Sequence, residues 1–190
     1  MNKLKIFLLA ILIIISIIII NRAMYYQHIE ATYTIEPEKL QFENAIVKWI
    51  NRPTPVTDKI EIKQELNLDN KKYFIITFGK WEGYAELTKG PNNKYKMGES
   101  GYGDGSIYDC EIWDTNKGKY IILFCKNKVG VQYAKVELEG KEYKINIPKK
   151  DYIITFCEVP DSTKVRFIDV NHIKFYNINN TEVRLEAILN

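Results

Sequence analysis

Three patterns of apolar and polar residues follow one another along the chain. The first is an uncharged run from Ile6 to Ile20, in which Ser16 is the single polar residue. The second begins after Pro37 and repeats apolar residues every three or four positions. From about residue 58 onward, apolar and polar residues alternate in short runs. These patterns predict an apolar helix, then an amphipathic helix, then a β-rich region.

The apolar run is long enough to cross a membrane. Positions 4–24 comprise 21 residues, which would span roughly 31 Å as an α-helix, about one hydrocarbon thickness. Arg22 can extend its charged end toward the headgroups, and Tyr25 and Tyr26 suit the aromatic belt of the membrane interface. The run therefore predicts one membrane pass.

A cleaved signal peptide is the alternative, since Lys3 and Lys5 form a basic region before the apolar run. No small-x-small cleavage site follows Ile20, which favours an uncleaved signal anchor over residues 1–24. Positive charge before the run exceeds that of Arg22 after it, so the positive-inside rule places the C-terminal part outside the cytoplasm. We expect a single-pass protein of the cell membrane with an extracytoplasmic domain.

The charge of the exported part limits its partners. The first 22 residues hold three basic and no acidic residues, so the remainder has 24 basic and 24 acidic residues. A formally neutral domain lacks the broad basic surface that nucleic acids require. We therefore expect no nucleic-acid partner.

The amphipathic helix follows a predicted spacer, residues 25–36. Its apolar stripe consists of Phe42, Ala45, Ile46, Trp49 and Ile50. Pro37 suits the first helical position, and the proline-rich stretch 52–55 ends the helix. We expect the stripe to pack on a sheet.

Short strands separated by turn residues make up the rest of the chain. The predicted strands are 58–66, 72–79, 82–88, 107–113, 119–126, 131–138, 142–147, 151–158, 164–169 and 172–177. Tight turns favour antiparallel pairing, so the predicted fold is mainly β. We predict a small α+β helix-on-sheet unit over residues 37–100, followed by an antiparallel β-sandwich over residues 101–190. The glycine-rich stretch 98–106 is expected to be a mobile surface loop that joins them.

One phrase occurs three times in related form. It is FIITFG at 74–79, KYIILFCKN at 119–127 and DYIITFCEV at 151–159. In each copy, alternate residues give one aromatic-rich face and one slimmer apolar face. Since both faces are apolar, we predict central strands that are covered on both sides.

Three further stretches carry a resemblance to a group of proteins. They are WINRPTPVTDKIEI at 49–62, YFIITFGKWEGYAELTKGPNNKYKM at 73–97 and IKFYN at 173–177. Together with the N-terminal apolar run, they resemble the small, uncharacterised membrane-anchored extracytoplasmic proteins of Gram-positive bacteria. The resemblance covers most of the chain and implies a surface protein, but it includes no motif with a known chemical role.

The residues that commonly carry chemistry are few and scattered. His28 and His172 have no acid or nucleophile close in sequence, and Cys110, Cys125 and Cys157 lack the CxxC spacing of a zinc site. We therefore expect no catalytic residue, no metal site and no cofactor.

The cysteines are also expected to form no disulfide. A three-residue turn at Asn116–Gly118 would pair Cys110 with Phe124, so that Cys125 points to the other face of the sheet. Cys125 and Cys157 could meet only if their strands were parallel, which consecutive hairpins disfavour. The sequence predicts three buried free thiols.

These observations favour a non-catalytic, membrane-anchored protein that binds a partner protein or cell-wall material in the envelope. Tyr102, in the glycine-rich stretch, is the predicted contact residue. One alternative is a sensory or inhibitory module that docks its helix-on-sheet half on a membrane-bound enzyme or signalling protein. A second alternative is a hydrolase that uses the distant acids Asp58, Glu111 and Asp114.

Overall fold

The structure is a computed structural model that describes residues 3–104, 108–126 and 130–184. Its helices are α1 (Lys3–Thr32) and α2 (Lys39–Ile50), and a single 3-10 turn covers Val170–His172. Its strands are β1 (Glu61–Leu68), β2 (Lys71–Phe78), β3 (Trp81–Lys89), β4 (Tyr95–Asp104), β5 (Tyr108–Asp114), β6 (Lys119–Lys126), β7 (Val131–Leu138), β8 (Lys141–Asn146), β9 (Tyr152–Val159), β10 (Ile173–Asn177) and β11 (Glu182–Val183). The fold is mainly β, and the described strand pairs are all antiparallel.

The strands form three sheets. Sheet A has the order β1-β2-β3-β4, sheet B the order β5-β6-β9 and sheet C the order β11-β10-β7-β8. Three clusters of buried side chains lie between successive layers, which are α2, sheet A, sheet B and sheet C. Sheet B is thus an inner layer with a core on each face.

Helix α2 covers the outer face of sheet A. Phe42, Ile46 and Ile50 are its buried residues, and they pack against sheet residues such as Phe74 and Ile76. The rings of Phe42 and Phe74 lie 5.5 Å apart. The prediction that the helical stripe packs on a sheet is confirmed.

The repeated phrase forms β2, β6 and β9. In β6, Ile122 and Phe124 belong to the core toward sheet A, whereas Ile121 and Leu123 belong to the core toward sheet C. β2 and β6 are interior strands with both faces buried, as predicted, but β9 is an edge strand of sheet B.

Nine of the ten predicted strands correspond to strands of the structure. The tenth, 164–169, forms only one isolated bridge, Glu111 to Phe167, across the edge of β5. The expected mobile loop at 98–106 is wrong for residues 98–104, which belong to β4 and pair with β3. Residues 105 and 106 of the predicted loop lie outside the described residues. The predicted boundary between residues 100 and 101 lies within β4, and the division into two units stays a prediction.

Glycines in β4 serve close packing, which is why the segment resembles a loop in sequence. A Cβ atom on Gly98 would lie 1.7 Å from Oε2 of the buried Glu86, and one on Gly101 would lie 2.9 Å from the ring of Tyr84. Both larger side chains come from the neighbouring strand β3. The glycines therefore allow a strand to form beside bulky neighbours.

Helix α1 is long and apolar enough to span a membrane, judged by its length and composition. It continues through Thr32 into the predicted spacer, and Ile35 then pairs with Tyr95 through two backbone hydrogen bonds of 2.9 and 2.7 Å. Ile29 is buried as well. The connection between the apolar helix and sheet A is a structured segment.

Polar contacts strengthen the same connection. Lys94 forms ion pairs with Glu30 at 3.5 Å and with Glu36 at 3.1 Å, and Asn92 donates a hydrogen bond to the carbonyl oxygen of Tyr33. Lys94 and Asn92 lie in or next to the β3–β4 turn. We call this group of contacts the helix foot.

The predicted register of the β5–β6 hairpin is wrong by one residue. Asp114 pairs with Lys119, so the turn has four residues, and Cys110 pairs with Leu123 and not with Phe124. Thr115 is drawn into the turn because its hydroxyl accepts hydrogen bonds from two turn amides. The Thr115 side chain thus stabilises the four-residue turn that accompanies this register.

The corrected register places Cys110 and Cys125 on the same face of sheet B. Both are buried in the core toward sheet C, and Cys157 packs against the same core from β9. Burial raises the pKa of Cys125 to about 12 and also raises the pKa of Cys110 and Cys157. Cys110 and Cys125 are buried as predicted, whereas Cys157 is only partly buried. The three thiols are free in the structure, and their failure to form a disulfide in solution stays a prediction.

Candidate functional site

The end of sheet A farthest from the helix foot carries a small aromatic patch. β4 starts at Tyr95 beside the foot and reaches Tyr102 seven residues later, a distance of roughly 23 Å along a strand. Tyr102 lies beside Trp81 and Phe78, which flank the β2–β3 turn. We call Phe78, Trp81 and Tyr102 the distal patch.

The rings of the distal patch contact one another edge to face. The Tyr102 ring lies 5.2 Å from Phe78 and 5.9 Å from Trp81, in the geometry that aromatic pairs prefer. Phe78 is buried, Trp81 is half-buried and Tyr102 is 40% exposed. Tyr102 is therefore an accessible aromatic residue on a supported surface, and its predicted role as a contact residue stays a prediction.

A second group of functional side chains lies where the edges of sheets A and B meet. Nη2 of Arg166 donates to Oε2 of Glu99 at 2.5 Å, and its Nε lies 3.6 Å from Oε2 of Glu111. The guanidinium also lies 5.9 Å from the Trp113 ring. Glu99 is on β4, Glu111 and Trp113 are on β5, and Arg166 belongs to the segment that crosses the edge of β5.

The carboxyl groups at this junction have raised pKa values. Burial, with the neighbouring carboxylates of Asp109 and Glu99, raises the pKa of Glu111 to about 7, and Arg166 opposes the shift. Burial also raises the pKa of Asp109 to about 6, although a hydrogen bond from Tyr84 favours its charged form. These carboxyls can therefore exchange protons near neutral pH.

Several buried polar atoms at the junction have no partner within hydrogen-bonding distance. Among the described residues, four buried side-chain atoms lack a hydrogen bond, namely the Tyr73 hydroxyl, Asp109 Oδ2, Glu111 Oε2 and Trp113 Nε1. Asp109, Glu111 and Trp113 are alternate residues of β5 and share one face of it. The Trp113 ring lies 5.7 Å from the Tyr73 ring. The unpartnered atoms are thus gathered between sheets A and B.

An open cleft of about 350 Å³ adjoins these side chains. It is lined by Lys71, Glu86, Gly98, Glu99, Ile112, Trp113, Asp114, Lys119, Lys164, Val165 and Arg166. Glu86 is almost fully buried and accepts hydrogen bonds from Lys71 and Thr88, each of 2.8 Å. We call this space the charged cleft.

The acids predicted for a hydrolase are not brought together. Asp58 precedes β1, whereas Glu111 lies next to β4, and β1 and β4 are opposite edges of sheet A. Glu111 and Asp114 are three residues apart on β5, so they point to opposite faces. Asp114 instead forms an ion pair of 3.6 Å with Lys119.

The histidines and cysteines, for which the sequence predicts no catalytic or metal-binding role, also lie apart. His28 is exposed on α1, His172 is exposed at the start of β10, and the cysteines line the core between sheets B and C. Within the described part of the chain, no three His, Cys, Asp or Glu residues are placed to hold a metal ion.

Sequence reasoning missed Glu99 and Arg166, which lie 67 positions apart. One signal was present in β5, where Asp109 and Glu111 alternate with the apolar residues Cys110 and Ile112. That pattern predicts a solvated strand face, but Trp113 continues the same face. A tryptophan on the same strand face as two acids could have indicated that this face is buried and carries ionisable groups.

The sequence matches no protein-family model, and no curated protein or solved structure is significantly similar to it.

Proposed function

We propose that this protein is a single-pass membrane protein whose β-rich part lies outside the cytoplasm and binds a component of the cell envelope without catalysis. The partner is another envelope protein or cell-wall material, and the distal patch is the contact surface. This assigns the protein to the same broad class as the membrane-anchored extracytoplasmic proteins that its sequence resembles.

The observation that carries the proposal is that the helix foot and the distal patch lie at opposite ends of the same strand, β4, so that the distance between them is fixed. The backbone pairing of Ile35 with Tyr95, together with the ion pairs of Lys94, joins α1 to sheet A without a flexible linker. β4 then extends from the foot to Tyr102. If α1 crosses the membrane, this arrangement holds the patch at a set distance from the bilayer, as suits a protein that contacts a neighbouring structure.

The chemistry of the patch also supports binding. Tyrosine and tryptophan are enriched in interfaces because they offer a large apolar area and a polar tip with little side-chain entropy to lose. Tyr102 is held by two other rings, so it is already oriented. A docking role for α2 is less favoured, because its apolar stripe is already covered by sheet A.

A photo-cross-linking experiment in intact cells tests the proposal. A photoreactive residue is placed at Lys80, which is exposed beside the patch, and at Ile178, which is 67% exposed in the turn between β10 and β11. We expect the probe at position 80 in full-length protein to give a product of higher mass, and the probe at position 178 to give none. Digestion of the product with a cell-wall hydrolase distinguishes cell-wall material from a protein partner.

The Tyr102→Ala change in the position-80 protein is the decisive control. We expect it to reduce the product at least about tenfold, as the loss of an interface anchor does, and to leave the protein in the membrane fraction. Equal products with and without Tyr102 would refute the patch as the contact surface. Protection of the domain from protease added outside the cells would refute its extracytoplasmic orientation.

A further inference from the structure

We propose that the charged cleft is a second binding site, which takes a small zwitterion with one ammonium and one carboxylate group. A free amino acid and a short peptide with both ends free share this chemistry. The site is separate from the distal patch and uses none of its residues.

The cleft has the size and position of a small-molecule site. Its volume of about 350 Å³ lies within the range of ligand pockets, and it is open to solvent. It forms where three parts of the chain meet: the edge of sheet A at β4, the edge of sheet B at β5 and the segment around Arg166. Sites at such junctions are common because each part contributes a different side chain.

The charges that line the cleft call for a ligand with charges of both signs. Its basic residues are Lys71, Lys119, Lys164 and Arg166, and its acidic residues are Glu86, Glu99 and Asp114. Within the cleft, Lys71 pairs with Glu86, Lys119 with Asp114 and Arg166 with Glu99, so each acid already has a basic partner. A simple anion would have to displace an acid from its basic partner, and a simple cation would have to displace a basic group from its acid. A zwitterion can place its carboxylate near the basic groups and its ammonium near the acids.

An unpartnered donor in the wall of the cleft points independently to a ligand. Trp113 lines the cleft and is 93% buried, yet its Nε1 has no hydrogen-bond partner. Buried polar groups in folded proteins are nearly always paired, and an indole N–H can only donate. Nε1 is itself covered by neighbouring atoms, so the carboxylate of a bound ligand would supply the missing acceptor once a neighbouring side chain such as Arg166 moves aside.

The acidic side of the cleft has an unpartnered acceptor behind it. Glu111 is 93% buried, and its Oε2 lacks a hydrogen bond, with Arg166 only in ion-pair contact at 3.6 Å. Arg166 itself is half exposed, so it can shift toward a ligand without unfolding its surroundings. An ammonium group beside Glu99 would then compensate the negative charge that Arg166 leaves.

Binding is tested on the full-length protein in mild detergent by its melting temperature and tryptophan fluorescence. The probes are the standard amino acids and trialanine, each at millimolar concentration. We expect at least one probe to raise the melting temperature, and its N-acetylated and C-amidated forms to have no effect. A response to amino acids alone identifies a free amino acid as the ligand class, and a response to trialanine alone identifies a short peptide with both ends free.

Two variants locate the site, with a matched control. Trp113→Phe removes the unpartnered donor and keeps an aromatic ring, and Lys164→Gln removes an exposed charge that packing does not need. We expect each to weaken binding about tenfold, the effect of one charge-assisted hydrogen bond. Lys144→Gln, on the far side of sheet C, should bind as the parent does.

Two results would overturn the proposal. One is the absence of any stabilisation by all probes. The other is unchanged affinity in Lys164→Gln together with Trp113→Phe, provided that both variants melt within a few degrees of the parent.

Discussion

The two faces of sheet B differ in chemistry, although the same three strands supply both. The face toward sheet C carries aliphatic side chains and thiols, namely Cys110, Ile112, Ile121, Leu123, Cys125, Ile153 and Val159. The face toward sheet A carries aromatic rings and aliphatic residues, namely Trp113, Tyr120, Ile122, Phe124, Tyr152 and Ile154, and β5 adds Asp109 and Glu111 to it.

The difference shows where this fold can hold functional groups. An aliphatic core needs no hydrogen-bond partners, whereas hydroxyl, indole and carboxyl groups do. Among the described residues, all four unpartnered buried atoms belong to residues of the layer between sheets A and B. The layer between sheets B and C therefore holds the structure together, and the layer between sheets A and B also carries ionisable groups and the charged cleft.

The largest expected effect on stability comes from truncating a large buried side chain in either core. Leu123 and Phe124 are adjacent and fully buried, but they face sheets C and A respectively. We expect Leu123→Ala to lower the free energy of unfolding by about 3 kcal/mol and Phe124→Ala by about 4 kcal/mol, since each leaves a cavity. Denaturant unfolding of the full-length protein in detergent, followed by circular dichroism, measures both.

The exposed Lys141→Ala change on β8 is the control and should be neutral. A loss below about 1 kcal/mol for Phe124→Ala alone would contradict the comparison. It would mean that sheet A rests on sheet B as a separable unit, as the predicted division of the chain implies.

An intermediate effect is expected from Glu111, whose titration makes the free energy of unfolding depend on pH. The folded state raises its pKa from an ordinary value of 4.5 to about 7, so the folded protein binds this proton more tightly than the unfolded chain. The resulting stabilisation is present below pH 4.5 and is lost as the pH rises to 7. Glu111→Gln should therefore flatten the fall in stability over this interval by on the order of 2 kcal/mol.

The measurement is the free energy of unfolding at several pH values for the parent and for Glu111→Gln, with the exposed Glu137→Gln as control. Parallel profiles for parent and Glu111→Gln would show that Glu111 is ionised in the folded protein. Arg166 would then outweigh burial at this carboxyl.

The smallest expected effect distinguishes two tyrosines of the same layer. The Tyr84 hydroxyl bonds to the partly buried Asp109, whereas the Tyr73 hydroxyl is buried without a partner. Tyr84→Phe should lower the free energy of unfolding by about 1–2 kcal/mol, and Tyr73→Phe should change it by less than about 0.5 kcal/mol. Equilibrium unfolding of both variants checks this, and a loss of about 1 kcal/mol for Tyr73→Phe would show that its hydroxyl has a partner in solution.

The sequence by itself determined the elements whose pattern is local. The uncharged run fixed an apolar helix, the spacing of Phe42, Ile46 and Ile50 fixed the buried side of α2, and the repeated phrase fixed two strands with both faces covered. These properties follow from helix and strand periodicity and from the hydrophobic effect, which act on neighbouring residues.

Tertiary structure decided the conformation of those elements whose residues pack against side chains that are distant in sequence. β4 resembles a loop in sequence because its glycines serve the packing of Tyr84 and Glu86, which belong to another strand. The hairpin register is accompanied by a four-residue turn that hydrogen bonds of the Thr115 hydroxyl stabilise, and a shift of one residue moved Cys110 to the face that holds Cys125.

The charged cleft was the least accessible to sequence reasoning. Glu99, Glu111 and Arg166 come from β4, β5 and the segment after β9, and no spacing links them. Their proximity, their burial and the raised pKa of Glu111 arise only when the edges of two sheets meet. From sequence alone, an ionisable side chain can be assigned only the pKa that it has in water. Burial and neighbouring charges in the packed structure decide whether it keeps that pKa.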